Sequence, residues 1–568
     1  MANDGMVLFS ADTDKIKEYV FESAKLPEIR GASMILDDLN YQRLPKLVEK
    51  RRGEVIYRGG GSLLALVPAA EAEALQQEIE ELYPSETGTA TITCVYRPVT
   101  NEECEHGPSG FTHAKLLELK KGLAPSDWRR VAAYYPSQKA SDGDAVDEEA
   151  FERRRCFGEL VALLGILLRR EKERKRIAPL FEAIPFARRC EACGMRPAQF
   201  VDGRYLCGPC ELKFGRKERR ERKGLWTRRF AEFCANENVQ VDTQTPRDLT
   251  ELGDDIAFIY ADGNEVGRWL ESSRRKEDYE ARSKALRQAT EGATYAALVK
   301  HLRGKAGPDG RVPVRPFEIV SIGGDDLVLI APAQGALLVA EDICREFERR
   351  LKALAPPDEG KTGSKTSLTM SAGVAIANCH TPIYFLRNLA AQLLKSAKKG
   401  AHESGKGTVD FLVLKSETTL ATELSHRRKN PPVRYVDPLR GEELRLTGLP
   451  YTLDDLDKLI ATAQDLRALA STQVEAYRRV LHRGRLRATL YFLYQYARAD
   501  KDVRCRLGQA YDRWRSADDK FTPPWFALDP LRGHERFWTP WEDAAQIMDF
   551  VPNGSTGMEG GEARESGH

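Results

Sequence analysis

The chain has 568 residues, with 87 Lys and Arg against 85 Asp and Glu, a formal charge of +2. That length makes several domains, and the near balance of charge excludes a global basic bias toward nucleic acid. No apolar run is long enough for a transmembrane helix, and Met1–Gly5 lacks the basic and hydrophobic parts of a signal peptide, so a cytoplasmic protein is expected.

In chain order, Met6–Asp12 reads as an apolar strand, and the segment Arg30-Gly31-Ala32-Ser33 follows a first helix. Two apolar stretches from Val55 to Pro68 flank the turn Gly59-Gly60-Gly61-Ser62, another strand covers Ala90–Val95, and Lys115–Gly122 is helical. Two CxxC pairs come next, Cys190/Cys193 and Cys207/Cys210, with thirteen residues between them. Each knuckle supplies two thiolates, and four complete a closed tetrahedral site, so a structural Zn²⁺ is expected. Cys94, Cys104, Cys156, Cys234, Cys344, Cys379 and Cys505 show no pairing pattern and read as buried free thiols, as in a reducing cytosol. Two runs are dense in Arg and Lys, Arg169–Arg176 and Lys213–Lys223, and Trp226, Arg228 and Arg229 follow the second. Interleaved glutamates favour solvated helices, and a phosphate contact to RNA or DNA around the zinc module is the sharper alternative.

Downstream, Asp255–Gly267 is an apolar strand that ends in Asp262-Gly263-Asn264-Glu265 and runs into a helix. Phe317–Ile330 is a β-hairpin with Gly323-Gly324-Asp325-Asp326 at its corner. Glycines turn the backbone tightly and leave room for a phosphate, and adjacent carboxylates hold divalent metal. If the two strands are neighbours, Asp262, Asp325 and Asp326 converge, and cations relieve their repulsion. A further strand covers Ser367–Ala377, and a helix runs from Phe385 to Lys399 with Lys395 and Lys398 near its end. The Val55–Pro68 hairpin aligns with Ile319–Pro332, which sets Gly61 and Ser62 where Asp325 and Asp326 stand, and Lys115–Gly122 echoes Leu393–Gly400. The chain thus reads as a duplication whose first copy has lost its metal ligands.

Asp262–Asn264, Gly323–Asp326, Ser371–Ile376 and Ala397–Lys399 resemble the catalytic palm in the large subunit of type III CRISPR effector complexes, while diguanylate cyclases carry Gly-Gly-Glu-Glu-Phe at the hairpin. Arg30–Ser33 is similar to the first palm of that family. The resemblance implies an α+β chain of two ferredoxin-like palms with a zinc-binding insert and a C-terminal helical domain. The expected divisions are a degenerate first palm (1–130), a helical four-cysteine module (131–245), a catalytic palm (246–420), a helical domain (430–550) and a disordered tail (551–568). In the helical domain, Trp514, Trp525, Trp538 and Trp541 read as core.

The implied activity is a metal-dependent nucleotidyl transfer that makes cyclic oligoadenylate from ATP. Asp262, Asp325 and Asp326 would hold two Mg²⁺ (or Mn²⁺). Gly263, Asn264, Glu265, Gly323 and Gly324 would cradle nucleotide, Lys395 or Lys398 would pair with its phosphates, and Ser33 and Ser62 would serve a second nucleotide on the first palm. The implied partners are the other effector subunits, guide RNA and target RNA. None of the nine histidines is followed by Asp, so the histidine–aspartate nuclease of many family members is expected to be missing. Two alternatives stay open: a stand-alone signalling cyclase, and a catalytically silent RNA-binding scaffold.

Overall fold

The computed structural model describes residues 5–108, 112–135, 146–175, 186–215, 224–243, 245–304, 312–354, 368–414, 423–428, 433–437, 440–515, 521–531 and 534–552. The expected tail from residue 553 on and most of the second basic run lie outside them. No described helix is long and apolar enough to cross a membrane.

Two sheets share one plan. In the first, β1 (Met6–Thr13), β2 (Glu54–Gly59), β3 (Ser62–Pro68) and β4 (Ile92–Val99) stand in the antiparallel order β2-β3-β1-β4. In the second, β5 (Asp255–Gly263), β6 (Glu318–Gly323), β7 (Asp326–Pro332) and β8 (Met370–Asn378) repeat it as β6-β7-β5-β8. There β9 (Thr408–Leu414) and β10 (Tyr451–Thr452) extend the sheet beyond β8.

The repetition holds residue by residue. Asp12 stands opposite Ser62 and Thr93, as Asp262 stands opposite Asp326 and Ser371. Both hairpins carry a register shift at the same place, between Val55 and Tyr57 and between Ile319 and Ser321. Such a bulge bends and twists its strand, so both hairpin tips are aimed alike.

Apolar runs on the central strands reflect burial of both faces. Along β5, Ala257, Ile259 and Ala261 enter one core and Ile256 and Phe258 enter another, as the two-residue period of a strand requires. The first core holds α4 (Lys276–Leu302) and α5 (Ala336–Leu354). The second is shared between the palms: it joins β1 and β3, α1 (Leu26–Asp38) and α2 (Ala69–Thr87) of the first to α6 (Ile383–Ser404) of the second. The palms are therefore one packed body and not two beads on a linker.

The outer face of the first sheet is covered by α3 (Phe157–Arg174), whose Phe157, Leu160, Leu164 and Leu168 meet Leu8, Leu64, Leu66 and Val95. This corrects one element of the sequence alignment. Lys115–Gly122, matched above to the end of α6, lies in a separate small cluster built on Leu116, Trp128 and Phe151. The helix that takes the α6 position on the first sheet is α3. Helical spacing identifies a buried stripe but does not say which sheet will receive it.

The four-cysteine segment docks on the first palm. Its helix Gly208–Phe214 lies so close to α1 that a Cβ at Gly31 would fall 1.6 Å from the Lys213 carbonyl oxygen. The C-terminal region is helical, with Leu453–Leu466, Ser471–Leu481, Arg485–Arg498 and Lys501–Asp512. It also contains a four-stranded sheet of Arg434–Val436, Glu443–Arg445, His534–Trp538 and Phe526–Leu531 that the helical reading did not include. It joins two short hairpins through one long-range parallel pairing, Glu443–Arg445 with Arg536–Trp538, and such short strands leave little local signal. Trp525 and Trp541 are fully buried, and Trp514 meets Trp538 edge-on at 5.4 Å.

Candidate active site and metal centre

The register of β5 against β7 sets Asp262 beside Asp326, and the tight turn after Gly323 adds Asp325. A Cβ on Gly263 would lie 3.2 Å from an Asp325 carboxylate oxygen, so this glycine admits the carboxylate to the strand end. Burial, and after it the charges of Asp262 and Asp326, holds the Asp325 carboxyl well above the usual carboxylate range. Burial raises Asp326 as well, against the pull of Lys17. Three mutually repelling carboxylates are a hard-oxygen donor set that fits a divalent cation of the Mg²⁺ or Mn²⁺ kind.

Two ammonium groups partly offset the cluster. Lys398 on α6 lies 2.5 Å from Asp262 Oδ2 and donates to the Gly263 carbonyl at 3.0 Å. Lys17, from the first palm, lies 3.5 Å from Asp326 Oδ2. Of the two lysines named from sequence, Lys398 is therefore at the carboxylates, while Lys395, one turn earlier on the same helix, is exposed. Lys17 was not named from sequence; no local motif marks it.

The loop after β5 differs from its expected role. The Asn264 amide donates to the Thr369 carbonyl at 2.7 Å, and its side-chain amide reaches Thr369 and Ser371 at 2.8 and 2.9 Å. Asn264 thus ties β5 to the start of β8, and its donors are spent there instead of being free for a phosphate. Glu265 has a left-handed backbone (φ 60°) and pairs with Arg268 at 2.8 Å.

The matching corner of the first palm is built otherwise. Gly61 and Ser62 bring no carboxylate, and the Ser62 hydroxyl donates to Asp12. Lys172 of α3 lies 2.5 Å from Asp12 Oδ2 and donates to the Thr13 carbonyl at 3.2 Å, the same pair of contacts that Lys398 makes to Asp262 and Gly263. Asp14 is held by Lys172 at 3.2 Å, by Lys175 at 3.1 Å and by the hydroxyls of Thr91 and Thr93 at 2.8 Å. Burial pushes Asp14 up, but these hydroxyls and Lys175 outweigh it and bring its carboxyl below the ordinary value.

Between the two corners the hairpin tips touch backbone to backbone. A Cβ on Gly323 would sit 2.8 Å from the Gly60 Cα, and Gly60 has a φ of 59°. Beside this contact lies a cavity of about 210 Å³ lined by Lys17, Ser33, Asp37, Tyr41, Gly60, Gly323 and Asp326 among others. Ser33, buried, donates to the Val320 carbonyl at 2.5 Å across the palm boundary. Ser62 faces Asp12 in its own palm, and Gly324 is not among the lining residues. Arg30 and Glu318 form a buried fork across the same boundary, with contacts of 2.5 to 3.1 Å.

The sulfurs of Cys190, Cys193, Cys207 and Cys210 all lie within 4.8 Å of one another, and Cys193 and Cys207 are 3.8 Å apart. Four thiolates at ~2.3 Å from one Zn²⁺ have edges of about this length, so the cluster fits zinc. It is the one such group among the described residues; the oxygens of the three aspartates do not all come this close together. The other seven cysteines are free thiols; Cys505 is exposed and Cys104 half-buried, and the remaining five are buried as expected.

Some basic residues near this module are engaged inside the protein, while Arg169, Arg170, Arg174 and Arg228 are exposed. Lys213 is fully buried on Glu22 and the Tyr19 carbonyl, Arg229 pairs with Glu291 at 2.6 Å, Trp226 is core, and Lys172 and Lys175 are held by Asp12 and Asp14.

An aspartate-bearing strand end, a Gly-Gly-Asp-Asp hairpin and a lysine over the carboxylates make this sheet a palm. Residues 255–408 match the family model described as Cas10/Cmr2, second palm domain, and are a palm of that type. None of the curated proteins matches the sequence. In fold the whole chain is similar to the crystal structure of Csm1 in T. onnurineus, with 14% identity over 97% of this chain and 70% of that one and a TM-score of 0.51. It is also similar to a Csm1-Csm4 cassette in complex with cA4, with 13% identity over 96% and 70% and a TM-score of 0.50.

Proposed function

We propose that the chain is the nucleotidyl cyclase subunit of a type III CRISPR effector and makes cyclic oligoadenylate, or a related cyclic nucleotide, from ATP. The observation that carries this reading is the meeting of Asp262, Asp325 and Asp326 at a palm corner beside a cavity shared with a second palm, whose matching hairpin residues Gly61 and Ser62 bring no carboxylate. Divalent cations held by these three carboxylates would supply charge neutralisation and activation of a ribose hydroxyl for attack on an α-phosphate, with pyrophosphate leaving. The chain's own part is placement. Lys398 stands at the carboxylates where a triphosphate would arrive, and the glycine tips keep side chains out of the space between the palms. Ser33 stands on the wall of the cavity where a second nucleotide would lie.

The Cys190, Cys193, Cys207 and Cys210 site is read as structural zinc, which would fix the insert on α1. One structure of similar fold is a Csm1-Csm4 cassette in complex with cA4, which supports another effector subunit as a partner; guide RNA, target RNA and a cytoplasmic place are part of the proposal. A silent scaffold has no need of three converging acids that two lysines only partly offset. The test is incubation with each nucleoside triphosphate and Mg²⁺, alone and with assembled effector and target RNA, followed by mass spectrometry of the products. Cyclic adenylates that appear only with target RNA support the reading, and synthesis by the isolated chain selects the stand-alone cyclase. No product under either condition removes the enzymatic reading.

A further inference from the structure

Lys17 belongs to the first palm by sequence and to the second palm's carboxylates by position. Its Nζ lies 3.5 Å from Asp326 Oδ2 and 4.1 Å from the centre of the Tyr260 ring, and the side chain is 40% exposed. It lines the cavity between the palms together with Gly60, Gly323 and Asp326. The position equivalent to Lys17, counted from Asp262 as Lys17 is from Asp12, is Gly267, so the second palm returns no such cation to the first. The ammonium is therefore a one-way contribution.

Charge decides what such a group does. With Lys17 and Lys398 against three aspartates, the corner carries one net negative charge when all are ionised, where the carboxylates alone would carry three. A divalent ion on an Asp326 oxygen would stand within about 6 Å of the Lys17 ammonium, and like charges at that distance repel strongly in a half-buried site. The ammonium cannot stay on Asp326 beside the ion. Its flexible four-carbon stem and the open cavity let it swing, and the face of Tyr260 offers it a weak second hold.

We propose that Lys17 is a phosphate-binding residue lent by the first palm: it rests on Asp326 in the absence of nucleotide and moves onto the triphosphate when a metal-bearing nucleotide enters. The consequence is that the corner disfavours a bare divalent ion and accepts metal and triphosphate as a unit. This inference rests on the reading of the three aspartates as a metal-nucleotide site.

The test measures two affinities of the full-length chain: Mn²⁺ alone, from the free-ion electron paramagnetic resonance signal, and a non-hydrolysable ATP analogue in the presence of Mn²⁺. For Lys17→Met, Mn²⁺ alone should bind roughly tenfold tighter and the analogue roughly tenfold weaker, while Lys17→Arg should keep both near wild type. Opposite signs are the signature, because simple loss of structure weakens both. Two unchanged constants, or two that fall together in a variant whose melting is intact, overturn the proposal. If Lys17→Met does not fold, Lys17→Gln is measured against the same expectation. Asp326→Ala separates the two readings. If it abolishes wild-type Mn²⁺ binding while Lys17→Met changes nothing, Lys17 alone is misassigned. If Asp326→Ala leaves Mn²⁺ and analogue binding as they were, the metal-nucleotide site itself is wrong, and this inference falls with it.

Discussion

The two palms have the same strand order, the same bulge and a lysine in the same place, yet their corners are electrically different. In the first, Asp12 and Asp14 are matched by Lys172 and Lys175, with hydroxyls from Ser62, Thr91 and Thr93 filling in. In the second, three aspartates outnumber Lys17 and Lys398, and among the described residues no hydroxyl donates to Asp325 or Asp326. A balanced corner is a finished piece of structure. An unbalanced one asks for a cation, and that difference separates a support from a reactive site within one repeated fold.

The strongest way to break this comparison is to remove the excess charge. Asp325→Ala with Asp326→Ala should lower product formation by ~10³-fold or more, since several kcal/mol of metal-assisted stabilisation would be lost. The same variant should fold, and should lose the rise in melting temperature that Mg²⁺ and ATP give wild type. Mass spectrometry of products and thermal melting check both. Wild-type synthesis would move the active site elsewhere.

A second experiment sets the equivalent lysines against each other. Lys398→Ala should slow synthesis by roughly 10- to 100-fold through lost phosphate contact, with little change in stability. Lys172→Ala should instead cost about 1 kcal/mol in urea unfolding, a value held down by partial solvent exposure of the pair, and should leave turnover near wild type. Equal effects of the two substitutions on turnover would show that the first corner is not merely structural.

Zinc gives a third, regional contrast. Cys207→Ser, or exhaustive chelation, should raise amide exchange in α1 and the neighbouring first palm well above any change in β5–β8, because the insert docks on α1 through Gly31. Uniform exchange changes would contradict that local docking, and elemental analysis without zinc would remove the metal.

The smallest effect is on pH dependence. Asp14 has a lowered carboxyl pKa, so its contribution to stability is present above the unfolded value of ~3.9 and is lost as pH falls through the folded value. Glu318, raised by burial against the pull of Arg30, has the opposite sign: its contribution is full below the unfolded value of ~4.3 and is lost as pH rises through the folded one. Urea titrations between pH 3 and 6 should show Asp14→Asn flattening the acid loss and Glu318→Gln flattening the opposing gain.

What was legible in the sequence was local. The Gly-Gly-Asp-Asp corner, the Asp-Gly-Asn strand end and the two CxxC pairs each lie within a few residues, and hairpin and knuckle geometry follow from such spacing. The register of the duplication was legible too, because strands fix the face of each residue. What stayed hidden was which distant groups meet. Lys17 reaches Asp326 across the palm boundary, Lys172 reaches Asp12 over a separation of 160 residues, and Asn264 turns its donors to Thr369 instead of outward. Within the basic runs the same holds: a lysine looks alike in sequence whether water or a buried carboxylate receives it, as Lys213 on Glu22 shows. The C-terminal sheet was missed because its strands, of three to six residues, carry almost no period.

The shared bulge and register have one more implication, which concerns freedom to change. Two identical chains paired through such hairpins would have to accept every substitution twice, once on each side of the axis. Joined in one polypeptide, the halves are released from that constraint. Position 17 can be lysine while position 267 is glycine, and position 326 can be aspartate while position 62 is serine. A geometry made by repetition thereby supports a division of labour that strict symmetry would forbid.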